Sequence, residues 1–212
     1  MKYHESVQSV ECKSEILISG IEARYSLTIT LNNKYEKMLT YIMMNPSIAD
    51  LIQSDQTLNR VIAFAASEAN KPKEIGKVNI VNLFGLYETK SPSLQSIIDQ
   101  LTPIPGYVDY LNKNRNSIEV GISTSDYIVL AWGDVPPGMK AKFHAVEVNY
   151  VYDCIMNNNK GDSLYILNTL NQNHKTTLTK SKRPRHPNRI NFDTYVPCTL
   201  SKKRNFLSII HE

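Results

Sequence analysis

The chain has 212 residues, 42% of them apolar, and a formal charge of +4 at neutral pH. That length fits one globular domain with a full core, and so small a global charge excess does not by itself argue for nucleic acid; its distribution has to be read instead. Cys12, Cys154 and Cys198 are odd in number, scattered and without C-x-x-C spacing, which argues against a disulfide framework or a zinc site and fits a reducing, cytoplasmic setting. No apolar run is long enough to span a bilayer, and the first residues carry no signal-like segment, so a monomer away from the membrane is expected.

Residues 1–14 are polar and read as a loosely held N-terminus. Glu15–Gly20 and Ala23–Leu31 read as two strands joined at Gly20, a β-hairpin at the sheet edge. In the second, Tyr25, Leu27, Ile29 and Leu31 alternate with Ser26, Thr28 and Thr30. Met38–Met44 is an apolar run of strand length, stopped by Asn45 and Pro46. Ser47 or Asp50 is available to cap a helix over Thr57–Ala69, with apolar positions at Leu58, Val61, Ile62, Ala65 and Ala66. Lys77–Phe84 reads as a second buried strand ending at Gly85. Ser91 as cap and Pro92 at the first turn open a short helix to Leu101. An amphipathic helix follows over Asp109–Ile122, a third buried strand over Asp126–Gly133 and a helix over Met139–Met156. Ser163–Leu167 is the last clear strand, and residues 168–195 read as a basic loop. Strand and helix alternate throughout, which predicts a three-layer α/β/α sandwich with a mainly parallel central sheet plus the N-terminal hairpin.

Three strands deliver polar or small residues at their carboxyl ends: Asn45-Pro46-Ser47, Asn82 to Gly85, and Trp132-Gly133-Asp134. In a doubly wound sheet such segments converge on one rim, where ligands bind. A fourth polar cluster, Arg183-Pro184-Arg185-His186-Pro187-Asn188, follows the last strand. Between His174 and Arg189 there are six Lys and Arg residues and no acid. Taken alone, Asn45 and Asp50 serve as well for a turn and a helix cap, Asp55 and Arg60 as a surface pair, and Phe84 and Trp132 as core. His4, His144, His174, His186 and His211 share no metal-ligand spacing, so neither metal nor cofactor is expected.

Met43-Met44-Asn45-Pro46-Ser47 with Ala49-Asp50, then Asp55 to Arg60, Val81-Asn82-Leu83-Phe84, Ala131-Trp132-Gly133 and Arg185-His186-Pro187 together resemble an uncharacterised domain family of bacteria and phages. The same motif order is similar to the uracil-DNA glycosylase superfamily. There a first strand ends in Gly-x-Asn-Pro or Gly-x-Asp-Pro, a middle strand ends in a base-reading Asn, and a late loop carries His-Pro-Ser. The chain departs from that pattern at Met43, where many members have Gly, and at Asn188, where many have Ser. The resemblance implies a glycosylase that flips a base out of DNA and hydrolyses its N-glycosidic bond. A modified pyrimidine in phage DNA, removed in defence, fits a family shared by bacteria and phages. Catalysis then falls to Asn45, Asp50 and His186. Base binding falls to Pro46, Ser47, Asn82 and Phe84, and phosphate contact to Lys180, Lys182, Arg183, Arg185 and Arg189. Asn45 can position water, Asp50 or Asp55 can supply a carboxylate nearby, His186 can donate to the departing base, and Asn82 offers both a donor and an acceptor to a Watson–Crick edge. The alternatives are an enzyme or binder for a free nucleotide or nucleoside derivative, and a non-catalytic module that binds nucleic acid.

Overall fold

The computed structural model describes residues 1–67, 72, 74–88, 93–171, 174–188, 191–203 and 206–210. Along them run β1 (Val7–Ile16), β2 (Glu22–Leu31), β3 (Lys37–Met43), α1 (Gln56–Ala66), β4 (Ile75–Asn82), α2 (Leu94–Leu101), α3 (Tyr107–Thr124) and β5 (Tyr127–Leu130). Then follow α4 (Ala141–Asn157), β6 (Leu164–Asn171), β7 (His174–Thr176), β8 (Asn191–Pro197), β9 (Thr199–Lys203) and β10 (Phe206–Ile210). Eight strands form one sheet in the order β1-β2-β4-β3-β5-β6-β7, with β8 also on β6, while β9 and β10 pair with each other. The inner quartet β4-β3-β5-β6 is parallel. The flanking pairs are antiparallel. The sheet is therefore mixed rather than mainly parallel. Parallel neighbours need a crossover connection, which the chain supplies only where a helix intervenes.

The winding of the quartet positions the site. The chain leaves β3 for β4 through α1, crosses back through α2 and α3 to β5, and continues through α4 to β6. The carboxyl ends of β3 and β5 thus flank the point where the winding reverses, and that crevice is where open α/β sheets bind ligands.

Side chains alternate faces along a strand, and the two cores follow that alternation. Leu39, Tyr41 and Met43 join Val78, Ile80 and the buried face of α1 (Leu58, Val61, Ile62, Ala65) in one cluster. Ile42 and Val81 belong to the other, with Ile98 of α2, Ile118 and Ile122 of α3, and Val151 and Ile155 of α4. Each of the branched aliphatic side chains among these contributes roughly 2 kcal/mol through burial, so both faces of the quartet are firmly held. Close docking of α3 depends on Gly121, where a Cβ would lie 3.0 Å from Asn79 Nδ2. That approach admits a polar ladder from Thr28 through Asn79 and Thr40 to Ser125. Arg115 and Glu147 clamp α3 to α4 with two bonds of 2.7 and 3.1 Å.

Several expectations need correction. The N-terminus is not loose: β1 begins at Val7, and the Ser54 amide donates to Met1 O at 2.9 Å, His4 N to Asn59 Oδ1 at 3.0 Å and Asn59 Nδ2 to Lys2 O at 2.8 Å. A register shift that leaves Gln8 as an extra residue in β1 interrupts the period-two pattern that reveals a strand, and a second lies near the other end of the pairing. This second shift leaves Tyr25 as the extra residue between Arg24 and Ser26, so Tyr25 packs beside Tyr110 in the α2–α4 core while Leu27, Ile29 and Leu31 face α1. Residues 168–195 are not a simple loop. β6 extends to Asn171, β8 pairs along it, and a bridge between Leu178 and Pro184 closes a turn held by Thr179 N to Arg183 O at 2.9 Å and Lys182 N to Thr179 O at 3.0 Å. The strand over Ser163–Leu167 is therefore not the last. Ser91 and Pro92, expected to open α2, and the end of the helix expected to reach Ala69 lie outside the described residues.

Candidate active site

β3 ends at Met43, and its pairing with β4 continues through Leu83 N to Met43 O at 2.8 Å and Phe84 N to Met44 O at 2.9 Å. Pro46 then diverts the chain over the top of the sheet. The Asn45 side-chain amide donates to Pro46 O at 3.1 Å and Glu88 O at 2.6 Å, which fixes the plane of its amide group. Helix α1 is capped by Asp55, whose Oδ1 accepts the Leu58 amide at 2.8 Å; neither Ser47 nor Asp50 caps it. Ser47 instead donates its hydroxyl to the other Asp55 oxygen.

Across the crevice, β5 leads to Gly133, whose φ of +77° is a left-handed conformation suited to glycine. Its amide donates to Pro184 O at 3.0 Å, and a Cβ there would stand 3.2 Å from the His186 Cβ. Thr179 Oγ1 donates to Asp134 Oδ1 at 2.6 Å and holds the same turn. The arginine–histidine segment therefore docks on the end of β5. The Asn188 amide donates to His186 Nδ1 at 3.1 Å, so the neutral ring carries its proton on Nε2. Burial pushes the His186 imidazole down to about 4, with Asp55 pulling the other way, which leaves it neutral at pH 7.

These pieces close a cavity of about 80 Å³ lined by Arg24, Asn45, Ser47, Asp55, His186 and Asn188, with Met43, Ala49, Thr57, Leu58 and Ile80 beneath. Ser47 also borders a cleft of about 490 Å³ that includes Glu22, Asp50, Tyr87 and Glu88. A larger cavity of about 820 Å³ lies between α4, the 178–184 turn and β10; it gathers Asn149, Lys182 and Arg183 over an apolar floor, and neither a carboxylate nor an imidazole lines it.

Asn45, Ser47 and His186 are thus brought together. Asp50 is not: its Oδ1 accepts the Ile52 and Gln53 amides at 2.8 Å each, a local turn facing the neighbouring cleft. Burial would raise the Asp50 carboxyl, but those amides and the charge of Arg24 hold it below its ordinary value. Of the two carboxylates left open, it is Asp55, which by itself also read as a surface pair with Arg60, that lines the cavity. Asn82 is buried behind the lining, its Oδ1 3.4 Å from Arg24 Nη2. Phe84 is not a stacking surface. It lies in the core under the helices because Asn114 Nδ2 donates to the Asn82 and Leu83 carbonyls and Gly85 N donates to Tyr110 Oη, turning the segment inward. Pro46 is buried in the turn and carries no polar contact toward the cavity. Of the cations expected on DNA, Lys180 and Lys182 are exposed, Arg183 donates to His144 Nδ1 at 3.0 Å, Arg185 has a buried Nε, and Arg189 lies outside the described residues.

Arg24 escaped the sequence reading. It sits on the strand whose alternation drew attention to its apolar residues, yet it is 3% exposed and reaches the cavity because the Tyr25 bulge turns it to the α1 side. A single cation between Ala23 and Tyr25 in an apolar strand was the available signal. Among the described residues no three His, Cys, Asp or Glu side chains gather as metal ligands, and no helix is long and apolar enough to cross a membrane.

No curated protein and no solved structure matches the chain. Residues 24–188, which run from the buried arginine through the histidine segment, match the family described as a protein of unknown function, DUF1643, and the chain belongs to that family.

Proposed function

We propose that this protein hydrolyses an N-glycosidic bond, acting as a glycosylase on an extruded, modified pyrimidine in DNA. The observation that carries the reading is the meeting of an oriented amide (Asn45), a carboxylate (Asp55) and a neutral imidazole (His186) on one small cavity at the switch point of the sheet. In this scheme water adds to the anomeric carbon while the carbon–nitrogen bond breaks. Asn45 and Asp55 hold the water, Asp55 takes its proton, and His186 Nε2–H donates to the base as it leaves with the bonding pair. Asp55 replaces Asp50 in this role. The base lies in the cleft beyond Ser47, and the reacting atoms lie at the small cavity.

The test is incubation with unmodified, uracil-containing and hypermodified phage DNA, followed by alkali, which breaks strands at abasic sites. Breaks in one DNA, lost in Asn45→Ala and Asp55→Asn, support the reading; breaks that persist in both variants, or in no DNA, remove it. A second reading, hydrolysis or binding of a free nucleotide derivative, is favoured by the inward engagement of Arg183 and Arg185, which leaves fewer cations for a phosphate backbone. Charge reversal at Lys180 and Lys182 separates the two: it weakens DNA binding and flattens its salt dependence, and leaves turnover of a free nucleotide unchanged.

A further inference from the structure

The guanidinium of Arg24 is buried with no carboxylate of the described residues in ion-pair contact; Asp55 and Asp50 act on it only through space. None of the ion pairs among the described residues includes it. Nη1 donates to Ala49 O at 2.5 Å and Nη2 makes a long contact of 3.4 Å to Asn82 Oδ1, while Nε has no partner among the described residues. The Tyr87 ring lies 5.7 Å away and supplies only weak compensation. A guanidinium has five N–H donors and cannot shed its proton at neutral pH, so a buried one with so few acceptors is costly unless something else completes its shell. A second orphan lies beside it: Asn82 is 1% exposed, and its Nδ2 has no partner. The carboxylate that lines this cavity, Asp55, already accepts from Leu58 and Ser47. Liquid water occupies about 30 Å³ per molecule, so the cavity of about 80 Å³ holds a group of a few heavy atoms.

From this geometry we infer that the Arg24 end of the cavity is an oxyanion subsite, in which Arg24, with Asn82 behind it, binds oxygen of a phosphate group of the ligand beside the reacting atoms. The unprotonated oxygens of a phosphate accept, match the guanidinium fork in shape and bring negative charge into direct contact. The inference names a substrate group for the site described above and rests on that reading of it as a ligand pocket. Phosphate binding and base release are nevertheless separate measurements, and either can fail alone.

The experiment follows the Arg24 Nε–H resonance of the full chain by nitrogen-15 NMR during titration with inorganic phosphate, against chloride at equal ionic strength. A saturable shift with phosphate and none with chloride is expected. Arg24→Lys, which keeps the charge but loses the fork, should weaken binding by about tenfold or more. Asn82→Ala gives a second variant in case the Arg24 change unfolds the protein, and it should also weaken binding. Thymidine 5′-monophosphate and thymidine identify the source of the group. Tighter binding of the nucleotide than of phosphate assigns it to a nucleotide, and equal binding assigns it to free phosphate. Absence of any saturable shift of Nε–H with either phosphate or the nucleotide overturns the inference. So does phosphate affinity unchanged in both folded variants.

Discussion

Replacing Asp55 separates its structural part from its chemical one. In the folded protein one oxygen caps α1 through the Leu58 amide and the other accepts the Ser47 hydroxyl. Removing a cap costs about 1 kcal/mol. The hydrogen bond from Ser47 to a charged acceptor adds about 1.5–3 kcal/mol, and loss of a negative charge at the helix N-terminus adds about 0.3–1 kcal/mol. Asp55→Ala should therefore destabilise by about 3–5 kcal/mol. Asp55→Asn keeps an acceptor for Leu58 and loses mainly charge, so about 1 kcal/mol is expected. Urea unfolding reads this directly: at a slope of about 2 kcal/mol/M, the midpoint falls by about 1.5–2.5 M for Ala and about 0.5 M for Asn. Base release, in contrast, should be lost in both. Equal destabilisation by the two variants would refute the capping argument, and full activity in Asp55→Asn would refute the carboxylate's place in the chemistry.

Burial pushes His144 from 6.5 down to about 4, with the Arg183 charge acting in the same direction. The unfolded chain then takes up the proton first, so stability is complete above about 6.5 and declines as the pH falls toward 4, by at most about 3 kcal/mol. Denaturation midpoints across that window should show a shallower slope in His144→Gln, with the remaining slope due to His186; an unchanged slope would count against the assignment. Gly133→Ala forces a side chain into a left-handed residue and against His186, and should cost about 1–2 kcal/mol by thermal unfolding while lowering base release. Asp50→Ala removes an acceptor that serves the Ile52 and Gln53 amides in an exposed turn, and should cost about 1 kcal/mol and spare catalysis. Loss of turnover with the fold intact would return Asp50 to the site. Gly121→Ala places a methyl 3.0 Å from Asn79 Nδ2 and should destabilise by about 1–3 kcal/mol, read by the same unfolding assay.

The sequence by itself determined the buried strands β3, β4 and β5 and the helices between them. Local signals define these elements: apolar runs of strand length, 3.6-residue periodicity, and stops at Asn45-Pro46, Gly85 and Gly133. It also marked Asn45, Ser47 and His186 as strand-end and loop candidates, because polar groups that interrupt apolar runs are visible in one dimension. Tertiary structure alone decided the rest. The strands β1 and β8 were hidden because register shifts break their alternation, and a shift is set by the partner strand rather than by the segment's own residues. Asp50 and Asp55 are equivalent as letters. Only the path of the chain after Pro46 commits the first to a turn and turns the second into the cavity. Phe84 was directed to the core by Asn114 and Tyr110, about thirty positions away. Arg24 became part of the site because a one-residue bulge reversed the face on which it lies, and a face is a property of the assembled sheet.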